Sequence, residues 1–280
     1  MRKIIYLFTL LSLFSCGPQT QQEPASLQHT TDHEVLEQDT SIQQANSLEG
    51  VFSPTLDTLA LSPAPATLWK LLMEGTYHKK EVFKGAERLE WFGLYFKDGN
   101  YTLEPTKVTV NVVKDPVAEK IKGVLSGRQV ISSLPDAAFL VAALKGIKAG
   151  TVDTARYSRT TMPANQQLNI LFRNKEYTIS AYADSTAADI KTYTYTRYGW
   201  RIRGKRNGRM LTQTLAEDVD FEDSIYVLLW AGDLDRDGIP DLLIDLSNHY
   251  NVSRYTLFLS SLAEPGKLYK KAAVFETVGA

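Results

Sequence analysis

From Trp91 onward the chain runs in short stretches that alternate apolar and polar positions and are separated by turn residues, the period-two pattern of strands. Trp91–Phe96 and Tyr101–Val113 are rich in aromatic and β-branched side chains. Asp98-Gly99 lies between them, a dipeptide that favours a tight hairpin turn. Further strands are expected over Lys107–Lys114, Gly127–Ser132, Leu168–Arg173, Lys175–Ala183 and Lys191–Arg203, then over Ser224–Trp230, Asp241–Leu246, Ser253–Ser261 and Leu268–Thr277. Helical pattern is scarce. Thr67–Glu74, with Pro63 and Pro65 before it and Gly75 after it, predicts a short helix, while Ala137–Lys148 fits either a helix or a buried strand. The regular spacing predicts a mainly β fold: an antiparallel sandwich or barrel-like sheet with few short helices, and no parallel βαβ units. No internal repeat and no boundary beyond Val51 divides residues 51–280, which read as a single β-rich globular domain.

The N-terminus departs from this pattern. Met1, Arg2 and Lys3 form a basic head, and Ile4–Ser15 is uncharged and almost wholly apolar, the length of a secretory h-region and too short to span a bilayer as a helix. Residues 1–15 therefore read as a signal peptide. Its end, Leu13-Phe14-Ser15-Cys16-Gly17, resembles the lipobox of bacterial lipoproteins, with Phe14 bulkier than is usual at its position. The resemblance implies that Cys16 is lipidated, becomes the mature N-terminus and anchors the chain stably in a membrane. Gly17 after that cysteine, by similarity to known sorting rules, points to the outer membrane of the cell envelope.

Residues 16–50 then form a tether. Gly17–Gly50 holds seven glutamines, the acids Glu23, Asp32, Glu34, Glu37, Asp39 and Glu49, and no lysine, arginine or aromatic residue. Such a segment cannot bury enough apolar surface to offset its ordering entropy. His29 and His33 lie within it, and a flexible polar segment seldom makes a good metal site.

Composition removes several classes of function. The chain has 280 residues, a net charge of −1 and one cysteine. A single thiol excludes an intramolecular disulfide framework and a cysteine zinc site, and the near-neutral balance offers no field to hold nucleic acid. With signal and tether set aside, the domain carries about +3.

One loop concentrates the chemistry. Within a hairpin expected over residues 224–246, Gly232-Asp233-Leu234-Asp235-Arg236-Asp237-Gly238-Ile239-Pro240-Asp241 sets carboxylates at the first, third, fifth and ninth loop positions and glycine at the sixth. Calcium takes six to eight oxygen ligands, and this spacing wraps carboxylates about one point while the glycine permits the sharp turn. Carboxylates so close together repel one another unless a cation compensates them. Magnesium, which keeps several of its waters, is less suited to so many protein ligands.

The run is not an EF-hand, because Ile244 stands where the bidentate glutamate would be and strands flank the loop. It resembles the calcium loop of FG-GAP and VCBS-type repeats. That resemblance implies a calcium ion held by Asp233, Asp235, Asp237, the Ile239 carbonyl and Asp241. Those families build propellers from several copies, and here the motif occurs once, so a full propeller is not expected. Loop, polar turn and strand through Ser261 are also similar to single-copy calcium-loop lipoproteins of unknown function.

Two further features bear on partners. On the strand ending at Arg203, Tyr193, Tyr195, Arg197, Arg201 and Arg203 share one face and Thr196, Tyr198, Trp200 and Ile202 the other. With Lys205, Arg206 and Arg209 around an Asn207-Gly208 turn, the first face could meet a glycan or an envelope polyanion, or could be a solvated edge that discourages aggregation. His249 and Asn251, in the polar turn after the loop, could line a pocket or satisfy backbone groups. Recognised catalytic motifs are absent, and a carboxylate pair such as Glu87 and Glu90 could in principle serve glycoside hydrolysis. The expected function is a membrane-anchored envelope lipoprotein with a calcium-stabilised hairpin, acting as a binding or structural module. A hydrolase of envelope polysaccharide or peptide, and a glycan- or anion-binding protein, are the alternatives.

Overall fold

A computed structural model describes residues 69–78, 80–115, 123, 125–143, 146–184, 195–221 and 224–278. The signal, Cys16, the tether, its two histidines and Tyr193 lie outside them. In chain order the strands are β1 (Lys70–Leu72), β2 (Gly75–Tyr77), β3 (Trp91–Lys97), β4 (Asn100–Thr106), β5 (Val108–Val113), β6 (Gly127–Ser132), β7 (Phe139–Ala142), β8 (Gly150–Val152) and β9 (Arg156–Tyr157). Then come β10 (Gln167–Phe172), β11 (Lys175–Asp184), β12 (Tyr195–Arg206), β13 (Arg209–Phe221), β14 (Val227–Gly232), β15 (Asp241–Asp245), β16 (Val252–Leu259) and β17 (Lys270–Val278). A single 3₁₀ turn at Ala86–Arg88 is the only helical element among the described residues.

The protein is an all-β sandwich. Among the described residues its strands form four antiparallel sheets, ordered β1-β7-β3-β4-β8, β2-β6-β5, β13-β12-β11-β10-β9 and β14-β15-β16-β17, and none of these closes into a barrel. Turn chemistry sets the tight hairpins. Asp98-Gly99 between β3 and β4, and Asn207-Gly208 between β12 and β13, both sit at positive φ, as a two-residue turn with the right twist requires.

Two hydrophobic cores flank the β14–β17 sheet. Leu243, Leu257, Leu259, Ala273 and Phe275 project into the first core with Trp91, Leu94 and Phe139. Leu242, Ile244 and Phe258 project into the second, with Ile179, Tyr198 and Trp200. This explains the unbroken apolar run Leu242-Leu243-Ile244, since a strand buried on both faces has no polar side to show. In β14 the register slips by one residue opposite β15, so Leu228 pairs with Ile244 and Trp230 with Leu243. The bulge sends two residues of equal parity into different cores and leaves Leu229 partly exposed.

The helix expected over Thr67–Glu74 is not formed where the chain is described: Lys70–Leu72 is a strand paired with Leu140–Ala142. Burial of Leu71 and Leu72 against β7 overrides local propensity, and the Glu74 carboxylate fixes the exit by accepting the Ser132 and Ala137 N–H groups at 2.7 and 2.9 Å. Phe139–Ala142, within the ambiguous Ala137–Lys148 stretch, is a fully buried strand. β13 was not expected at all, because most of its 13 residues are polar.

Candidate metal centre

The loop joins β14 to β15, and its apolar residues aim the acidic ones. Leu234 is buried in the first core and Ile239 packs against the second, so the residues between them, Asp235 to Asp237, turn toward the surface. Gly238 takes a φ of 87° and Arg236 one of 64°; the Arg236 guanidinium donates to the carbonyls of Lys148 and Ala149 at 3.2 and 2.9 Å and holds the turn open.

This brings three of the sequence-predicted carboxylates together. Asp233, Asp235 and Asp237 each offer an oxygen, and these atoms lie within 4.8 Å of one another. Ligands on opposite sides of one calcium ion would be separated by about 4.6–5.2 Å, so all three can touch the same ion. Asp233 is 1% exposed; its Oδ2 accepts the Gly238 N–H at 3.0 Å, and its Oδ1 has no hydrogen-bond partner. Asp235 accepts the Asp237 N–H at 3.3 Å and the Ser261 hydroxyl. Asp237 accepts the Ile239 N–H at 2.9 Å and the Ser260 hydroxyl at 2.6 Å.

Asp241 lies deeper than the other three carboxylates. Asp241 is fully buried, and its two oxygens accept the N–H groups of Ser260 and Leu234, each at 2.9 Å, so it locks the end of β16 to the start of the loop. It stands outside the three-carboxylate group. The Ile239 side chain is turned toward the second core.

Electrostatics make the loop costly on its own. Burial pushes the pKa of Asp233, Asp235 and, most strongly, Asp241 above the usual carboxylate range, and neighbouring carboxylates push further in the same direction. Among the described residues Arg173, at the turn between β10 and β11, answers one of them: it bonds Asp153 and comes within 3.4 Å of Asp233 Oδ2. Nearby, the hydroxyls of Tyr177 and Tyr269 are buried without partners, and the Tyr177 phenol is pushed up to about 12 by burial and then by Asp237. Unfilled hydrogen-bond capacity of this kind is rare in a protein interior and asks for an ion or ordered water.

The basic strand face is only partly assembled. Tyr195 stacks on Tyr198 with ring centroids 5.3 Å apart, which turns it toward the second core, and Arg197 pairs with Asp184 at 2.8 Å. Arg201 and Arg203 are exposed, Arg201 lying over the Tyr182 ring at 4.9 Å. His249 turns in on its own loop, bonding Asn251 and resting on Tyr250. Glu87 and Glu90 share an open groove of about 1030 Å³ with Phe92, Pro105 and Lys107. The indole of Trp91 beside them is buried and donates to the Ala86 carbonyl at 2.7 Å.

Sequence reasoning passed over Arg173, Ser260 and Ser261. Arg173 and the serines come from distant parts of the chain, where the sequence shows them only as the ends of the expected strands Leu168–Arg173 and Ser253–Ser261. No protein-family model, no curated protein and no solved structure matches this chain.

Proposed function

We propose that the protein is a membrane-anchored envelope lipoprotein whose β14–β15 loop binds calcium, and that the ion stabilises a binding or structural module at the outer membrane. The observation that carries the metal reading is Asp233: a buried carboxylate with an unpartnered oxygen, grouped with Asp235 and Asp237. An all-oxygen donor set suits a hard cation, and the hydroxyls of Ser260 and Ser261 orient two of the carboxylates as outer partners do in metal sites. Asp241 then serves as the buried strut of the loop. The ion acts by binding the folded state, adding about 2.7 kcal/mol when free calcium is a hundredfold above Kd. Extracellular calcium modules commonly have Kd values of about 10⁻⁴–10⁻³ M, so an envelope site fills from the medium.

The test is the melting temperature of the full chain in chelator, calcium and magnesium. Calcium is expected to raise it more than magnesium does, and Asp235→Ala with Asp237→Ala is expected to abolish the rise. An unchanged melting temperature would sink the metal reading. The anchor is tested separately: Cys16→Ser is expected to move the chain from the membrane to the soluble fraction.

The groove holding Glu87 and Glu90 supports a second reading, an envelope polysaccharide hydrolase. Turnover of a polysaccharide panel that Glu87→Gln with Glu90→Gln abolishes would carry it, and no turnover by the wild-type chain would remove it.

A further inference from the structure

β12 and β13 end in a two-residue turn, and the residues flanking it, Arg206 and Arg209, are direct cross-strand partners. Like charges placed opposite each other on a hairpin are destabilising. A third cation stands beside them, because the turn at Ala263–Lys267 forms the opposite wall of a cleft of about 580 Å³ lined by Arg206, Asn207, Arg209, Leu211, Pro265 and Lys267 among others. That volume falls within the range of small-ligand sites.

The walls are tied together. The Arg206 guanidinium donates to the carbonyls of Lys267 and Leu268 at 3.2 and 3.3 Å. Gln213 accepts the N–H groups of Leu268 and Tyr269 at 2.8 and 3.0 Å and donates to the Tyr269 carbonyl at 2.9 Å. Both contacts bridge more than fifty residues of chain, so the cleft is set by the packing of β12 and β13 against the segment leading into β17 and not by a lone loop.

Its charge is uncompensated. Among the described residues no carboxylate pairs with Arg206, Arg209 or Lys267, whereas Lys97, Arg173, Arg197, Arg254 and Lys270 each have at least one. The one acid in the cleft, Glu264, has its carboxylate 3.6 Å from the Lys270 ammonium. Two guanidiniums with an ammonium opposite them form a donor set for an oxyanion: planar forks for bidentate bonds and a point charge to complete the shell. The apolar floor of Leu211, Ala263 and Pro265 suits the carbon frame of a small organic ligand.

We infer that this cleft binds a compact oxyanion, a phosphate or polycarboxylate group, held between Arg206, Arg209 and Lys267. The site does not depend on the calcium reading, and it lies at the hairpin tip, away from the flat strand face of Arg201 and Arg203. Bound anion relieves the repulsion between Arg206 and Arg209, so binding and hairpin stability are linked.

Calorimetric titration of the full chain in calcium-free buffer with inorganic pyrophosphate in one arm and tricarballylate in the other tests this. Saturable binding is expected in at least one arm, weakening as sodium chloride is raised, and the productive arm assigns the site to phosphate or to carboxylate. Arg209→Gln with Lys267→Gln, which spares the Arg206 wall contacts, is expected to weaken binding about tenfold or more while the melting temperature stays close to wild type. Arg201→Gln with Arg203→Gln is expected to bind as wild type does. The inference is overturned if neither anion saturates, if the Arg209/Lys267 variant binds as tightly as wild type, or if the Arg201/Arg203 variant is the one that loses binding.

Discussion

Ser260 donates its hydroxyl to Asp237 at 2.6 Å, and its N–H to Asp241 at 2.9 Å, joining the end of β16 to loop residues 23 and 19 positions earlier in the chain. One buried serine thus sets the orientation of a surface carboxylate and of its buried neighbour. Ser260→Ala keeps the backbone bond and removes the other. It is expected to lower stability by about 1.5–3 kcal/mol, the usual range for a hydrogen bond to a charged group. Urea denaturation in chelator measures this, and an unchanged midpoint would show that the hydroxyl bond contributes nothing.

Asp241 separates the architecture of the loop from its ion. Replacing it by Asn sets an amide donor against one of two buried N–H groups, Leu234 or Ser260. A loss of about 1–3 kcal/mol is expected with calcium and equally in chelator. Asp235→Ala with Asp237→Ala should instead cost mainly the calcium-dependent increment. Equal behaviour of the two sets of variants would contradict the division of roles.

The shared sheet predicts one unfolding unit. Leu243 is 1% exposed and belongs to the first core, while Leu242 and Ile244 beside it belong to the second. Leu243→Ala is expected to cost about 2–5 kcal/mol and to lower the stability of both cores together. Fluorescence of Trp91 and of Trp200, one in each core, read in variants that keep only that one of the chain's four tryptophans, should give coincident transitions. Separate transitions would show that the β14–β17 sheet does not couple the cores.

His78 gives the fold a pH dependence away from the metal loop. Its Nδ1 lies 2.8 Å from Asp115, which is 5% exposed, and that hydrogen bond raises the histidine pKa above its ordinary value against an opposing desolvation. A raised folded-state pKa means that the pair contributes fully below the unfolded value of about 6.5 and loses its contribution as pH climbs through the higher folded value. Melting temperature is therefore expected to fall as pH rises above about 6.5, and His78→Gln should flatten that slope. An identical pH profile for the variant would remove His78 as the cause.

What the sequence by itself determined is what short-range chemistry controls. Asp98-Gly99 and Asn207-Gly208 announced their turns because two adjacent residues must accept positive φ. Tyr198, Trp200 and Ile202 showed their inward face because a strand's side chains alternate, and the carboxylate spacing from Asp233 to Asp237 showed in the residue order alone. Tertiary structure decided the rest. β13 is a strand because β12 supplies its hydrogen bonds, not because its own polar residues favour one. Leu228 and Trp230 part company at a bulge that exists only in the pairing with β15. Asp241 is a strut because Ser260 and Leu234 both reach it, and Lys267 meets Arg206 because distant segments pack side by side. Period and turn chemistry act over a few residues and are written in the residue order, whereas the partner of a strand edge or a buried carboxylate is chosen by which sheets close over the two cores.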